Sequence, residues 1–167
     1  MTQPAGHHLA SFNFGTMRYA WDDPRLREFQ DNLDRVNAIA ARSPGFIWRL
    51  DDAAMEAVQE DPSGPLKDRP STASTLSVWD GPAHLWQFVH LTLHAKFMAR
   101  SHDWFDPGDS GYFVGWWSPV GHFPSVAQGM AMWRMVQAQG DTDAAFGAAR
   151  LKAMTQAASK QNPADPD

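Results

Sequence analysis

Two histidines four residues apart are the side chains whose type and spacing could do chemistry in this sequence. His90 and His94 lie within Ser77–Phe105, which reads as the end of a strand, a turn and one long helix with Pro82 in its first turn. At about 100° of rotation per residue, both imidazoles fall in the middle of the apolar face of that helix. A buried imidazole needs a hydrogen-bond partner, a ligand or a proton to transfer. The functional prediction therefore rests on this pair.

The pair is compatible with four interpretations. As a general base near neutral pH, His94 or His90 would act without a cofactor on a phenolic or otherwise acidic apolar substrate. Alternatively, His94 alone would serve as the axial ligand of a haem. Two histidines at this spacing can also coordinate one metal ion. No carboxylate lies on the same face of the helix to complete the ligand set, so no metal site is predicted. Finally, both could be core residues that only hydrogen-bond to a strand carbonyl or to Ser101.

The sequence is rich in large aromatic side chains, with eight tryptophans and ten phenylalanines. Such side chains suit a cavity for an apolar molecule, although a dimer interface uses them as well. We therefore expect a hydrophobic small molecule as the partner. The residues predicted to bind it are Asn13, Trp48, Arg49, Trp86, Phe97, Trp116, Trp117 and His122.

Hydrophobic periodicity and turn residues predict four strands and four helices. Residues 51–70 are rich in Asp, Pro and Gly and are expected to be mostly a connection. The predicted strands are Leu9–Met17, Phe46–Leu50, Ser71–Trp79 and Gly111–Trp117. The predicted helices run from Asp22 to the Ser43-Pro44-Gly45 turn, along the segment described above, from the Ser125 cap to Gly140, and from Asp141 or Thr142 to about Ala158.

This order predicts an α+β domain with the ferredoxin-like, split βαβ plan. Two helices would cover one face of a four-stranded antiparallel sheet, and extra helices would follow at the C-terminus. The other face is apolar too, so it is expected to pack against a second copy in a homodimer. Residues 1–8 would be a flexible tail, 9–146 the domain, and 147–167 a C-terminal helix with a disordered tail.

Composition excludes several classes of function. The formal net charge is −5 and the basic residues are scattered, which argues against nucleic-acid binding. No cysteine is present, so disulfides, thiolate catalysis and cysteine-ligated metals are excluded. The first 14 residues lack a basic region followed by an apolar run, so no secretion signal is expected. No apolar stretch of the sequence is long enough to predict a membrane span. The expected location is the cytoplasm.

Four motifs in order resemble a bacterial family. They are GFIWRL (45–50), SVW (77–79), His94 followed by Trp104-Phe105, and WWSPVGHFP (116–124). The family they resemble has no known function and is placed in the dimeric α+β barrel superfamily, beside the antibiotic-biosynthesis monooxygenases. Residues that look family-like are Asn13, Trp48, Arg49, Trp79, His94, Trp104, Trp117, His122 and Pro124, whereas His90 departs from the pattern.

The resemblance implies a dimeric α+β barrel and an enzyme without a cofactor. Its reaction would be that of a monooxygenase acting on an apolar aromatic or polyketide-like substrate. In related barrels a haem-binding histidine lies on the second helix, where His94 lies here, so a haem protein is the first alternative. A non-catalytic small-molecule-binding module is the second, because family membership supports a fold more strongly than a reaction.

Overall fold

The computed structural model describes residues 2–69, 71–108 and 112–161. In this part of the chain, the strands are β1 (His7–Thr16), β2 (Phe46–Arg49), β3 (Thr72–Trp79), β4 (Tyr112–Pro119) and β5 (Ala145–Phe146). The helices are α1 (Arg27–Arg42), α2 (Asp52–Glu60), α3 (Pro82–Leu91), α4 (Leu93–Ala99), α5 (Val126–Gln139) and α6 (Ala148–Gln161).

The strands form one antiparallel sheet in the order β2-β3-β1-β4-β5. The long strand β1 lies at its centre and pairs on both sides, with Leu9 opposite Trp79 of β3 and Trp117 of β4. In the described part of the chain the sheet has five strands where four were expected, because the two-residue strand β5 adds to the free edge of β4. The mixed α+β class and the antiparallel sheet are as predicted.

Alternation along β1 sends its side chains to two different cores. Ala10, Phe12 and Phe14 belong to one buried cluster, which also includes Met55 of α2 and Met130 of α5. Leu9 belongs to a second cluster with residues of α1, α3 and α6. Helices therefore cover both faces of the sheet.

The prediction that helices cover one face only is wrong. The apolar face formed by Phe12 and Phe14 is covered by α5 and α2 of the same chain. This face is therefore buried without a second copy of the chain. Among the described residues, the exposed apolar face from which a sheet-to-sheet dimer was predicted does not exist. The sheet is open between β2 and β5 and does not close into a barrel.

Local sequence signals explain several of the helix ends. Asp23 accepts a hydrogen bond from the backbone N–H of Arg25 and begins the 3₁₀ turn that precedes α1. Ser125 caps α5 in the same way through the N–H of Gln128. Gly45 follows α1 with a φ of 73°, and Gly140 ends α5 with a φ of 75°, backbone conformations that favour glycine.

Several boundaries differ from those predicted. β1 begins at His7, inside the segment expected to be a tail, and residues 52–60 form the helix α2 rather than a connection. α6 begins at Ala148, because residues 145–146 pair as β5. Gly111, the predicted start of the fourth strand, lies outside the described residues, as do Met1 and residues 162–167 of the two predicted tails.

Gly129 of α5 sets how closely that helix approaches the sheet, and its replacement tests this packing. A Cβ at this position would lie 2.9 Å from the ring of Phe12. Helix propensity alone would make Gly129→Ala stabilising by about 1 kcal/mol. We expect the opposite, a loss of roughly 1–3 kcal/mol in the free energy of unfolding, because the core is overpacked. Urea denaturation measures it.

The matched control is Ala131→Gly, at an exposed position of the same helix. Its free energy of unfolding should fall by about 1 kcal/mol, the difference in helix propensity between alanine and glycine. A Gly129→Ala protein more stable than the wild type would contradict the close approach of α5 to Phe12.

Candidate functional site

The helix that carries both histidines is broken at Thr92. Its backbone is extended (φ −117°, ψ −172°), so α3 ends at Leu91 and α4 begins at Leu93. The Thr92 hydroxyl donates to the carbonyl oxygen of Phe88 at 2.6 Å and accepts from the N–H of His94 at 3.2 Å. A threonine hydroxyl offers the backbone this alternative to continuing a helix. The prediction of one continuous helix is wrong, and the spacing of the histidines no longer fixes them on one helical face.

His94 is held as a neutral imidazole with one defined tautomer. Its Nδ1 lies 3.3 Å from the carbonyl oxygen of Val89. Since a carbonyl only accepts, Nδ1 carries the proton and Nε2 keeps its lone pair. Burial lowers the pKa of His94 below 6.5, an effect that the hydrogen bond to Val89 opposes and the nearby His90 reinforces. The ring of Phe88 lies 5.1 Å away.

His90 lies at the end of α3 and contacts Trp86. The two ring centroids are 3.8 Å apart, with the planes tilted by 37°. Burial also lowers the pKa of His90, with a smaller contribution from the charge of Lys152. Among the described residues, no group of three or more His, Asp or Glu side chains could hold a metal ion.

A polar row crosses the face of the sheet under α1 and α3. Ser11 of β1 and Ser77 of β3 are opposite each other, 2 % and 6 % exposed, with their hydroxyl oxygens 3.0 Å apart. The indole N–H of Trp79 donates to the Ser77 hydroxyl at 3.0 Å. Buried hydroxyls are thus satisfied without a ligand here.

Asn13, two residues further along β1 on the same face, is exposed to solvent. Its neighbours across the sheet are Thr75 of β3 and Phe113 of β4, both partly buried. A side chain in the middle of a central strand is exposed only if the layer above it is open. We call this opening, above Asn13, Thr75 and Phe113, the central cleft.

Two apolar clusters lie on either side of the central cleft along the strands. The cluster of Trp79 and Phe88 includes Leu9, four residues before Asn13, and Phe113 packs against it. The cluster of Met17 and Trp104 begins four residues after Asn13. His94 contacts the first cluster through Phe88. The cleft therefore has a polar floor between aromatic groups, and His94 contacts one of these clusters.

The other predicted site residues are dispersed over the molecule. Trp116 is buried in the core on the opposite face of the sheet, and Trp48 packs against that core and stacks on Phe123. Trp86 and Trp117 pack against the cluster of Phe88, and Phe97 packs against that of Trp104. Arg49 forms a bidentate ion pair with Asp52, at 2.6 and 3.1 Å. His122 is exposed, with Nε2 3.5 Å from the amide oxygen of Gln128.

One concave region of the molecule has neither histidine among its lining residues. It is a groove of about 500 Å³ between α1 and β2. Of the site residues predicted from the sequence, it contains Trp48 and Arg49.

Sequence reasoning missed Thr75, Ser77 and Thr92 as parts of the site. Alternation along β3 could have placed Thr75 and Ser77 on the face that carries Asn13. Thr92 carried no comparable signal, because a threonine inside an apolar helix usually stays helical.

Comparisons with known proteins identify a family without an assigned activity. A family model described as "Domain of unknown function (DUF3291)" matches residues 8–162. No curated protein and no solved structure matches the chain. In the described part of the chain, no helix is long and apolar enough to cross a membrane.

The lowered pKa of His94 predicts a pH-dependent stability. Above pH 6.5 both the folded and unfolded states hold a neutral imidazole. Below it the unfolded state binds a proton that folded His94 resists, so the free energy of unfolding should fall as the pH drops from about 6.5 through the folded pKa. Urea denaturation between pH 8 and pH 5 measures it.

The matched variant is His94→Asn, whose amide N–H can still donate to Val89 but does not titrate. Its stability should fall less steeply below pH 6.5, with some slope left because the pKa of His90 is lowered as well. Above pH 7.5 the free energy of unfolding of the two proteins should depend on pH in the same way. Equal slopes below pH 6.5 would show that His94 is not buried as a neutral group.

Proposed function

The chain belongs to the family described as Domain of unknown function (DUF3291), and we propose that it is an enzyme acting on a small apolar molecule. The substrate binds in the central cleft, and His94 removes a proton from it. The observation that carries the proposal is the exposure of Asn13 on the helix-covered face of the central strand. It supports a solvent-accessible opening above the middle of the sheet, where a ligand meets both polar and aromatic groups.

The lining of the cleft supports an aromatic substrate that carries a carbonyl or hydroxyl group. Phe113 and the cluster of Phe88 offer apolar contacts. Asn13 and Thr75 offer hydrogen-bond donors and acceptors at the floor. A flat molecule with one polar edge satisfies both sets of groups.

His94 has the properties of a general base. The hydrogen bond of Nδ1 to Val89 leaves Nε2 as an acceptor, and the lowered pKa keeps the ring neutral at pH 7. A neutral imidazole accepts a proton from an acidified C–H or from a phenol. Oriented by a backbone carbonyl, it needs no further residue to fix its tautomer.

The resemblance to the monooxygenases suggests O₂ as the second substrate. After His94 removes one proton from a methylene group beside carbonyls, the carbanion passes electrons to O₂. One oxygen atom becomes a new carbonyl on that carbon, and the other leaves as water with the two hydrogens of the methylene group. No cofactor enters this balance.

A haem protein is the second candidate, supported by the same hydrogen bond. A histidine that donates its Nδ1 proton to a carbonyl presents Nε2 to a metal, as metal-bound histidines do. His94 would then hold the haem iron, and the porphyrin would supply the redox chemistry. A binding module without catalysis would use the cleft alone.

Two further aspects of the protein belong to this proposal. The strand order β2-β3-β1-β4 supports a ferredoxin-like plan to which β5 is added. A homodimer of such domains would use a surface other than the sheet face covered by α2 and α5. The absence of cysteine suits a reducing compartment such as the cytoplasm.

Blocking the cleft tests whether it binds ligands. Asn13→Phe places a ring on the exposed floor, and binding of benzoylacetone, an aromatic 1,3-diketone, should weaken by at least about tenfold. Thermal-shift titration measures the affinity. The control is Leu91→Phe, which adds the same ring at a position 77 % exposed on α3 and should leave binding unchanged. Equal binding by all three proteins would place the ligand elsewhere.

Removing the base tests the reaction. His94→Asn should lower the rate of deuterium exchange into the methylene group of benzoylacetone, and of any O₂ uptake, by about 10²–10⁴. Its urea midpoint at pH 7.5 should stay close to that of the wild type. The wild-type rate should rise with pH through an apparent pKa below 6.5 and then level off. If the variant exchanges deuterium as fast as the wild type, His94 is not the general base.

An absorption spectrum separates the haem alternative. If haem binds His94, added haemin should give a Soret band that is shifted from that of free haemin in the wild type and not in His94→Asn. With no such difference between the two proteins, the haem interpretation is discarded.

A further inference from the structure

We propose that the groove between α1 and β2 binds an extended, positively charged peptide segment of another protein, which adds to the sheet as a strand next to β2. This site is separate from the central cleft and does not depend on the function proposed above.

The groove has a strand for one wall and a helix for the other. All four residues of β2, Phe46–Arg49, line it on one side. On the other side, α1 contributes one face, residues 34, 37, 38 and 41. Two of these, Ala38 and Ala41, are small and let a chain approach the helix closely. A strand about 13 Å long, at about 3.3 Å per residue, matches a bound segment of about four residues.

The position of β2 makes its backbone available for strand addition. It is the edge strand of the sheet, and in the described part of the chain no strand pairs with its outer side. Ile47 lies at the point where the register with β3 shifts, has no partner there, and is 42 % exposed. Strand addition combines main-chain hydrogen bonds at such an edge with pockets for alternate side chains.

The charge of the lining selects the partner. The lining of the groove includes the carboxylates of Asp34, Asp51 and Asp52 and one guanidinium, that of Arg49. Asp52 pairs with Arg49, and Asp51 accepts the N–H of Ala54 at the start of α2. The groove thus carries more negative than positive charge and complements Lys or Arg side chains. A second copy of this chain would bring two such acidic grooves together, so a basic partner is favoured over edge-to-edge dimerisation.

Fluorescence anisotropy with labelled synthetic peptides tests the proposal. The probe is an acetylated heptapeptide of alternating lysine and valine, which should bind the wild-type protein. A version with glutamate in place of lysine should not bind. A version with proline at the central valine should bind at least about tenfold more weakly, because proline cannot donate its backbone hydrogen bond.

Two matched substitutions locate the binding. Ala38→Trp fills the groove from an exposed position of α1 and should weaken binding of the lysine–valine peptide by at least about tenfold. Ala57→Trp, at an exposed position of α2 outside the groove, should leave it unchanged. Circular dichroism melts should show that both variants fold.

The results distinguish a basic peptide that pairs with β2 from a peptide held by charge alone and from a second copy of the chain. Equal binding of the proline peptide would reduce the interaction to charge attraction without strand pairing and overturn the proposal, as would binding that Ala38→Trp does not weaken. No binding of the lysine–valine peptide would overturn it as well. A wild-type dimer in sedimentation that Ala38→Trp dissociates would assign the groove to a second copy instead.

Discussion

The architecture follows from the position of β1, which is hydrogen-bonded on both edges and buried on both faces over most of its length. A strand with partners on each side cannot reach water along its backbone, and its side chains point alternately to two cores. Each face must then be covered, and this chain covers one with α1, α3 and α6 and the other with α2 and α5. Asn13 is where the first of these layers leaves an opening.

A single hydroxyl group determines the surroundings of His94. By bonding to Phe88 and to the N–H of His94, Thr92 ends one helix and begins the next. The turn brings Nδ1 of His94 to the carbonyl of Val89, outside the usual hydrogen-bond pattern of a helix. The tautomer, the burial and the lowered pKa of the imidazole all depend on this local break. Its chemistry is therefore a product of the turn more than of the spacing between the histidines.

Much of the fold could be predicted from local patterns. The alternation of Ala10, Phe12 and Phe14 identified the central strand, and the cap at Ser125 and the glycine at position 140 gave the bounds of α5. The covering of both faces could not be predicted, because periodicity shows that a helix has an apolar side but not which surface it meets. The two-residue strand β5 is too short to leave a pattern.

For the site, the sequence by itself determined which residues could do chemistry: two imidazoles among aromatic side chains, and an asparagine on the polar side of the first strand. Only the tertiary structure decided which of them meet. It placed Trp116 and Trp48 with the core on the other face of the sheet, paired Arg49 with Asp52, and left Asn13 open to solvent. The physical reason is that neighbours across a sheet or between helices are fixed by packing of distant segments, which residue spacing along the chain does not encode.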